Sequence, residues 1–168
     1  MKEPENCLGI SLGMQRMGLA IGTAAELIES QVKFFDDRYT EGKINRIVRV
    51  VERIIIRYGI SGIAIKAPRK VSRSKELNSA IDLLTLLAMS YDIQIVMYDV
   101  NMLEERFIRS VNKNKKKLAS ALLHTFPELK RYYSKIDSGK GVYYLKLFEA
   151  VAAMKLFSES LEHIADPL

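Results

Sequence analysis

Hydrophobic and polar positions along the first part of the chain predict three short strands joined by tight turns. The strands cover residues 7–13, 17–22 and about 28–36, and the first turn centres on Gly13 and Arg16. Because connections this short join antiparallel neighbours, we expect the three strands to pair in an antiparallel arrangement.

The hydrophobic spacing then changes from that of a strand to that of a helix. From residue 44 apolar side chains recur at helical intervals, and Gly59 is placed to end this helix. The apolar run 60–67 predicts a buried strand. Ser74 is a plausible N-cap for a second helix, and residues 93–98 predict a fifth strand.

The remainder of the chain has helical spacing interrupted by two breaks. Residues 101–104 have the outline of a capping box, which predicts the start of a third helix. Pro127 interrupts the next helical stretch, and the glycines in 138–141 form a clear break. A long last helix is predicted from about 142 to 162.

The predicted element order is βββαβαβ followed by helices. Alternating strands and helices require parallel crossovers, whereas the first three strands need only hairpins. We therefore predict an α/β fold in which a five-stranded mixed sheet, its first three strands antiparallel, is flanked by helices. With 168 residues, 48% of them hydrophobic, the chain is expected to form a single domain over 1–168.

Composition excludes several classes of protein. The single cysteine, Cys7, excludes an internal disulfide and a multi-cysteine zinc site, and two histidines leave little for a metal cluster. No signal-peptide pattern is present at the start, and no apolar run approaches the length of a membrane span. These features predict a cytoplasmic protein that does not enter a membrane.

Positive charge is concentrated in one segment. The chain carries a net charge of +6, and residues 106–146 contain 11 lysines and arginines against two acids. This asymmetry indicates a surface that meets phosphate groups, although a solvated basic face would give the same pattern. Four tyrosines in the segment could stack on unpaired bases or pack inside the protein: Tyr132, Tyr133, Tyr143 and Tyr144.

The hairpin at 8–21, Leu-Gly-Ile-Ser-Leu-Gly-Met-Gln-Arg-Met-Gly-Leu-Ala-Ile, resembles the opening hairpin of the ribonuclease-H-like nucleases, specifically the RuvC/YqgF type of Holliday-junction resolvase. Residues 63–68 resemble the fourth strand of the YqgF branch, and 112–126 looks more like RuvC. Residues 148–153 are similar to a helix start in both branches. The resemblance extends over about 7–157, leaves the branch open and implies a bacterial origin.

The hairpin contains three glycines, Gly9, Gly13 and Gly18. Their spacing is neither a P-loop nor a dinucleotide fingerprint, because the lysine and the following helix are missing. In the hairpin that this segment resembles, such glycines serve the turn and allow close approach of the backbone.

The resemblance also implies a set of metal-binding positions. Several carboxylates would bind two Mg²⁺ ions for phosphodiester cleavage. Ser11 stands at the position of the first-strand aspartate, and Lys66 stands at or beside a fourth-strand glutamate. Lys146 lies one turn before Glu149, which takes the place of a helical aspartate, and Asp99 is near an acidic position of the YqgF branch. An ammonium group opposes Mg²⁺ binding. We therefore predict no metal, no cofactor and no catalytic set, with Asp99 and Glu149 as the residual candidates.

These residues also have structural interpretations. Glu149 could pair with Lys146 three residues earlier on the helix, or with Lys66 in a buried ion pair that replaces a metal. Asp99, next to a predicted helix start, is more typical of a turn or cap residue than of a ligand.

Three functions follow as hypotheses. The first is a nucleic-acid-binding protein, for DNA or structured RNA, that lacks metal-dependent nuclease activity. A second is a Mg²⁺-dependent, structure-specific endonuclease with a rearranged carboxylate site, and a third is a non-enzymatic interaction protein, as a homodimer. The candidate nucleic-acid contacts are Arg16, Arg69, Lys70, Arg73, Arg109, Lys113, Lys115, Lys116 and Lys117. The candidate carboxylates for the endonuclease are Asp99, Glu149 and one of Asp36, Asp37 and Glu104.

Overall fold

A computed structural model of the chain describes residues 5–35, 41–69 and 74–165. Of the sequence candidates, Asp36, Asp37, Lys70 and Arg73 lie outside these described residues. The described strands are β1 (Cys7–Leu12), β2 (Arg16–Gly22), β3 (Leu27–Phe34), β4 (Gly62–Lys66) and β5 (Gln94–Tyr98). The described α-helices are α1 (Glu41–Tyr58), α2 (Lys75–Ser90), α3 (Val100–Phe107), α4 (Lys115–Leu122), α5 (Lys130–Asp137) and α6 (Leu145–Ala165).

The five strands form one mixed sheet in the order β3-β2-β1-β4-β5. The pairs β1–β2 and β2–β3 are antiparallel, whereas β1–β4 and β4–β5 are parallel. The predicted α/β class, the element order and the antiparallel arrangement of the first three strands are thereby confirmed. The helical spacing placed α1 and α2 correctly because one face of each is buried. Strands β1, β2 and β4 are buried on both faces, so continuous apolar runs mark them.

The two faces of the sheet pack against different helices. Leu8 and Ile10 of β1 point into a core shared with the buried faces of α1 and α2. The alternate residues of β1 point to the opposite face, where Cys7 joins a second core built from α3 to α6. Burial there raises the pKa of the Cys7 thiol to about 11, which keeps it protonated and unreactive.

Helix α6 lies almost in contact with the backbone of β1 and β2. A Cβ atom on Gly9 would fall 2.0 Å from the carbonyl oxygen of Ala150. A Cβ on Gly18 would fall 2.0 Å from the carbonyl oxygen of Lys146. The expected close backbone approach at these glycines is confirmed, and it fixes the first turns of α6 against the hairpin.

Two predicted helix starts are wrong. Helix α3 begins at Val100, and the carboxylate of Asp99 caps it by accepting a hydrogen bond from the Met102 backbone at 2.9 Å, so the capping box at 101–104 does not form. The last α-helix begins at Leu145 rather than near 142, because a short 3₁₀ turn comes first. Within the described residues, no helix is long and apolar enough to cross a membrane.

Candidate nucleic-acid interface

The sequence candidates come together at the carboxyl end of the central strands. Ser11 of β1 and Lys66 of β4 are partners in the parallel register. Residues paired in this way present their side chains to the same face, and here that face is covered by α6. Both side chains are buried, Ser11 with no exposed surface and Lys66 with 5%. The fold therefore places these two residues beside the start of α6.

Glu149 of α6 is the acidic centre of this site. Its carboxylate is buried and forms an ion pair with the Lys66 ammonium through Oε2, while Oε1 lies 3.6 Å from Nζ of Lys115 on α4. The predicted buried ion pair between Lys66 and Glu149 is thus confirmed. Among the described residues, the ion-pair partners of Glu149 are Lys66 and Lys115, whereas Nζ of Lys146 donates to the Leu12 carbonyl at 3.2 Å.

The pKa values record how these charges act on one another. Burial alone would raise the pKa of Glu149, but Lys66, Lys146 and Lys115 together outweigh burial and lower it, so the carboxylate is ionised. The pKa of Lys146 is lowered to about 8, chiefly by burial and also by Lys66, Lys115 and Arg16, against the attraction of Glu149. Three ammonium groups therefore surround one carboxylate, and the site carries an excess of positive charge.

The residues present do not fit a divalent metal. Mg²⁺ needs hard oxygen ligands, and the site supplies one carboxylate that already faces two lysines. Ser11 Oγ is fully buried and has no hydrogen-bond partner among the described residues, and a hydroxyl is a weak ligand compared with a carboxylate. A divalent cation about 4 Å from an ammonium would be repelled by about 8 kcal/mol at an effective dielectric constant near 20. Within the described residues, no group of three histidine, cysteine or acidic side chains could hold a metal ion.

An open cleft of about 550 Å³ leads to this site. Five of its ten lining residues are basic, and its acidic lining residue is Glu104 of α3. The sequence suggested Glu104 only as a substitute ligand. The residues that line the cleft are Lys66, Ala67, Pro68, Arg69, Val100, Glu104, Lys113, Asn114, Lys115 and Lys146.

Five of the predicted basic contacts divide into two groups. Arg69, Lys113 and Lys115 line the cleft, and all three are exposed. Lys116 points elsewhere and pairs with Asp137 at 2.6 Å, while Lys117 donates to the Asn112 carbonyl at 2.6 Å. The first group is placed to contact a ligand in the cleft. The second group makes contacts within the protein that stabilise the segment 113–117, which carries Lys113 and Lys115. Arg109 is exposed in the connection between α3 and α4.

Arg16 and the tyrosines form a neighbouring aromatic cluster. The Arg16 guanidinium lies 6.0 Å from the ring centre of Phe34 and 5.8 Å from that of Tyr143. Tyr144 packs between two other rings, 4.4 Å from Tyr143 and 4.7 Å from Tyr132. These ring contacts, and the packing of Tyr132, Tyr133 and Tyr144 against the second core, favour the packing interpretation of the tyrosines.

The two residual catalytic candidates are in different environments. Glu149 is buried among lysines, as described above. Asp99 is exposed at the end of β5, where its carboxylate caps α3. The structural interpretation of Asp99 as a cap residue accounts for its position without a metal. No chemical signal in the sequence marked Lys115 as a partner of Glu149, since that contact depends on how α4 packs on α6.

No protein family defined by sequence matches the chain, and no curated protein matches it. Solved structures do match. The chain superposes on Thermus thermophilus RuvC with a TM-score of 0.69, at 13% identity, over 94% of this chain and 96% of that one. The same protein in complex with a Holliday junction substrate gives a TM-score of 0.68 at 13% identity, with the same coverage of both chains. A yeast mitochondrial Holliday junction resolvase gives 0.58 at 9% identity, over 96% of this chain and 85% of that one. The chain thus has a ribonuclease-H-like fold of the RuvC type.

Proposed function

We propose that this protein binds nucleic acid through the lysine-rich cleft and the basic surface beside it, without hydrolysing the strand. The observation that carries the proposal is the group of three lysines around the buried carboxylate of Glu149, at the carboxyl end of the central strands. A site with this excess of positive charge attracts phosphate groups and disfavours the metal ions that hydrolysis would need.

The shape and charge of the cleft support a polyanionic ligand. The cleft is open, and the exposed residues Arg69, Lys113 and Lys115 line it. Lysine and arginine side chains that contact phosphates release counterions on binding, which makes such an interface strongly dependent on salt. The RuvC-type fold adds support, since one matched structure holds a Holliday junction substrate.

The proposal is tested by titrating the purified protein with four-way junction, duplex and single-stranded DNA. Each titration is run in Mg²⁺ and in EDTA, at about 50 mM and about 200 mM salt. We expect binding in EDTA, a loss of affinity of about tenfold or more at the higher salt if two or more phosphates are contacted, and intact strands after incubation with Mg²⁺ or Mn²⁺. No binding at low salt would refute the proposal. Cleavage that is lost in a Glu149→Ala protein shown to be folded by circular dichroism would establish the endonuclease instead.

Restoring one carboxylate is not expected to restore hydrolysis. Ser11→Asp places an acid beside Lys66 in the register of the sheet, where it will form an ion pair rather than a metal site. Denaturing gels of labelled junction DNA should show no more cleavage for Ser11→Asp than for the unmodified protein. Metal-dependent cleavage by Ser11→Asp would show that Mg²⁺ can bind beside the lysines. It would also show that the absence of a carboxylate at position 11 is what prevents metal binding in the unmodified protein.

A further inference from the structure

The charges at the floor of the cleft do not balance within the protein. Lys66 and Lys115 face the two oxygens of Glu149, and Lys146 lies near enough to all three to change their electrostatics and its own. Arg16 of β2 adds a further positive charge to the surroundings of Lys146. One carboxylate therefore compensates for only part of the charge that the fold gathers there.

We propose that a single backbone phosphodiester of the bound strand sits at the floor of the cleft, held by the ammonium groups of Lys146 and Lys115 without any metal ion. The proposal rests on the nucleic-acid binding proposed above and specifies which part of the ligand occupies this site. The sugar and base of the same nucleotide would remain in the open part of the cleft, whose wall Arg69 and Lys113 line.

Lys146 is held in place before any ligand arrives. Its Nζ donates to the Leu12 carbonyl, which leaves two of its three protons for other acceptors. A Cβ atom on Gly13 would lie 3.0 Å from Cε of Lys146, so the side chain is packed against the hairpin turn. Little side-chain entropy remains to be lost when a phosphate oxygen accepts from it.

Glu149 has a complementary role in this arrangement. The negative charge of Glu149 compensates the positive charge of Lys66 at the end of β4. The remaining positive charge is therefore that of Lys146 and Lys115, which line the cleft. A carboxylate so close to the floor also repels a phosphate. The geometry consequently predicts that removing the Glu149 charge will lower the stability of the folded protein but raise its affinity for DNA.

The first test compares two lysines in DNA binding. Lys146→Met removes the charge and keeps most of the packing. Lys33→Met is the matched control, because Lys33 of β3 lies beside α1 on the other face of the sheet. Fluorescence anisotropy with duplex DNA should show a loss of about tenfold or more for Lys146→Met. Its plot of log affinity against log salt should flatten by about 0.9, as expected for one lost phosphate contact. Equal affinities and equal slopes for the two variants would overturn the proposal.

Glu149→Gln provides a readout that a purely structural role does not give. We expect its thermal midpoint to fall, because Lys66 is left buried without a carboxylate. At a temperature where the variant is folded by circular dichroism, its affinity for duplex DNA should rise several-fold. An affinity that stays the same or falls in the folded variant would contradict a phosphate site beside Glu149.

The pH dependence of binding follows from the same site. The pKa of Lys146 lies at about 8, and the groups that face it are Lys66 of β4, Lys115 of α4, Arg16 of β2 and Glu149 of α6. As the pH rises from 7 to 9, Lys146 loses its proton and DNA affinity should fall. Lys146→Arg, which stays charged, should show no such fall. Equal pH profiles for the two proteins would refute a contact made by Lys146.

The outcomes separate this proposal from the proposed function. If the unmodified protein binds DNA but Lys146→Met binds equally well, only the phosphate site is wrong. If the unmodified protein binds no DNA, both fail. Inorganic phosphate is the probe for a free anion at the same floor. A rise in thermal midpoint with inorganic phosphate, together with unchanged DNA affinity in Lys146→Met, would assign the floor to free phosphate and overturn the proposal.

Discussion

Glu149→Ala lowers the free energy of unfolding by about 3–5 kcal/mol, because it removes the one carboxylate that compensates a buried lysine. Lys66 is 5% exposed and would lose its carboxylate partner in a site that also holds Lys146. Urea unfolding followed by circular dichroism at pH 7 measures the loss.

The folded pKa of Glu149 lies below its ordinary value of 4.5, so the stability that it contributes is present above pH 4.5 and is lost as the pH falls below that value.

A double replacement shows whether the loss comes from the unpaired charge. Lys66→Met combined with Glu149→Leu fills the same space with apolar side chains, and such exchanges are often neutral or stabilising. We expect the double variant to be more stable than Glu149→Ala. Lys116→Ala is the control for an exposed pair, and its unfolding midpoint should match that of the unmodified protein. A Glu149→Ala protein as stable as the parent would mean that the ion pair does not form.

Gly18→Ala should cost about 3 kcal/mol or more, at the upper end of the range for overpacked cores. The added Cβ would lie 2.0 Å from the carbonyl oxygen of Lys146 and 2.4 Å from its carbonyl carbon. Neither backbone can rotate away as a side chain would, so α6 must move as a whole. Because Lys146 is in the first turn of α6, we expect DNA affinity to fall together with the unfolding midpoint.

Gly59→Ala separates crowding from backbone strain. Gly59 has φ of +59° and no atom within 4 Å of an added Cβ, so its replacement brings only the cost of a left-handed conformation. That cost is about 1–2 kcal/mol, and DNA affinity should not change because Gly59 ends α1 away from the cleft. A smaller loss for Gly18→Ala than for Gly59→Ala would contradict the close contact between α6 and the hairpin.

The sequence predicts the fold better than it predicts the site. Strands and helices follow from local periodicity, and the antiparallel start follows from the short turns. The ion pair between Lys66 and Glu149 was one of two arrangements, and the choice depended on where α6 crosses β4. The contacts of Lys115 and Glu104 at the cleft depend on how α3 and α4 pack, which periodicity does not encode. Asp99 and Asn101 are both good cap residues, and local preference alone did not distinguish them.

The pairing of Lys66 with Glu149 constrains how this sequence can change over generations. A change at either position alone leaves a buried charge without its partner, and the variant is unstable before any second change can arrive. The two positions should therefore covary among descendants of this chain, as lysine with glutamate or as two apolar residues. A carboxylate at position 66 is disfavoured as a single change, since it would set two acids against each other in the interior. The ion pair thus limits which single substitutions are tolerated at these two positions, in addition to stabilising the fold.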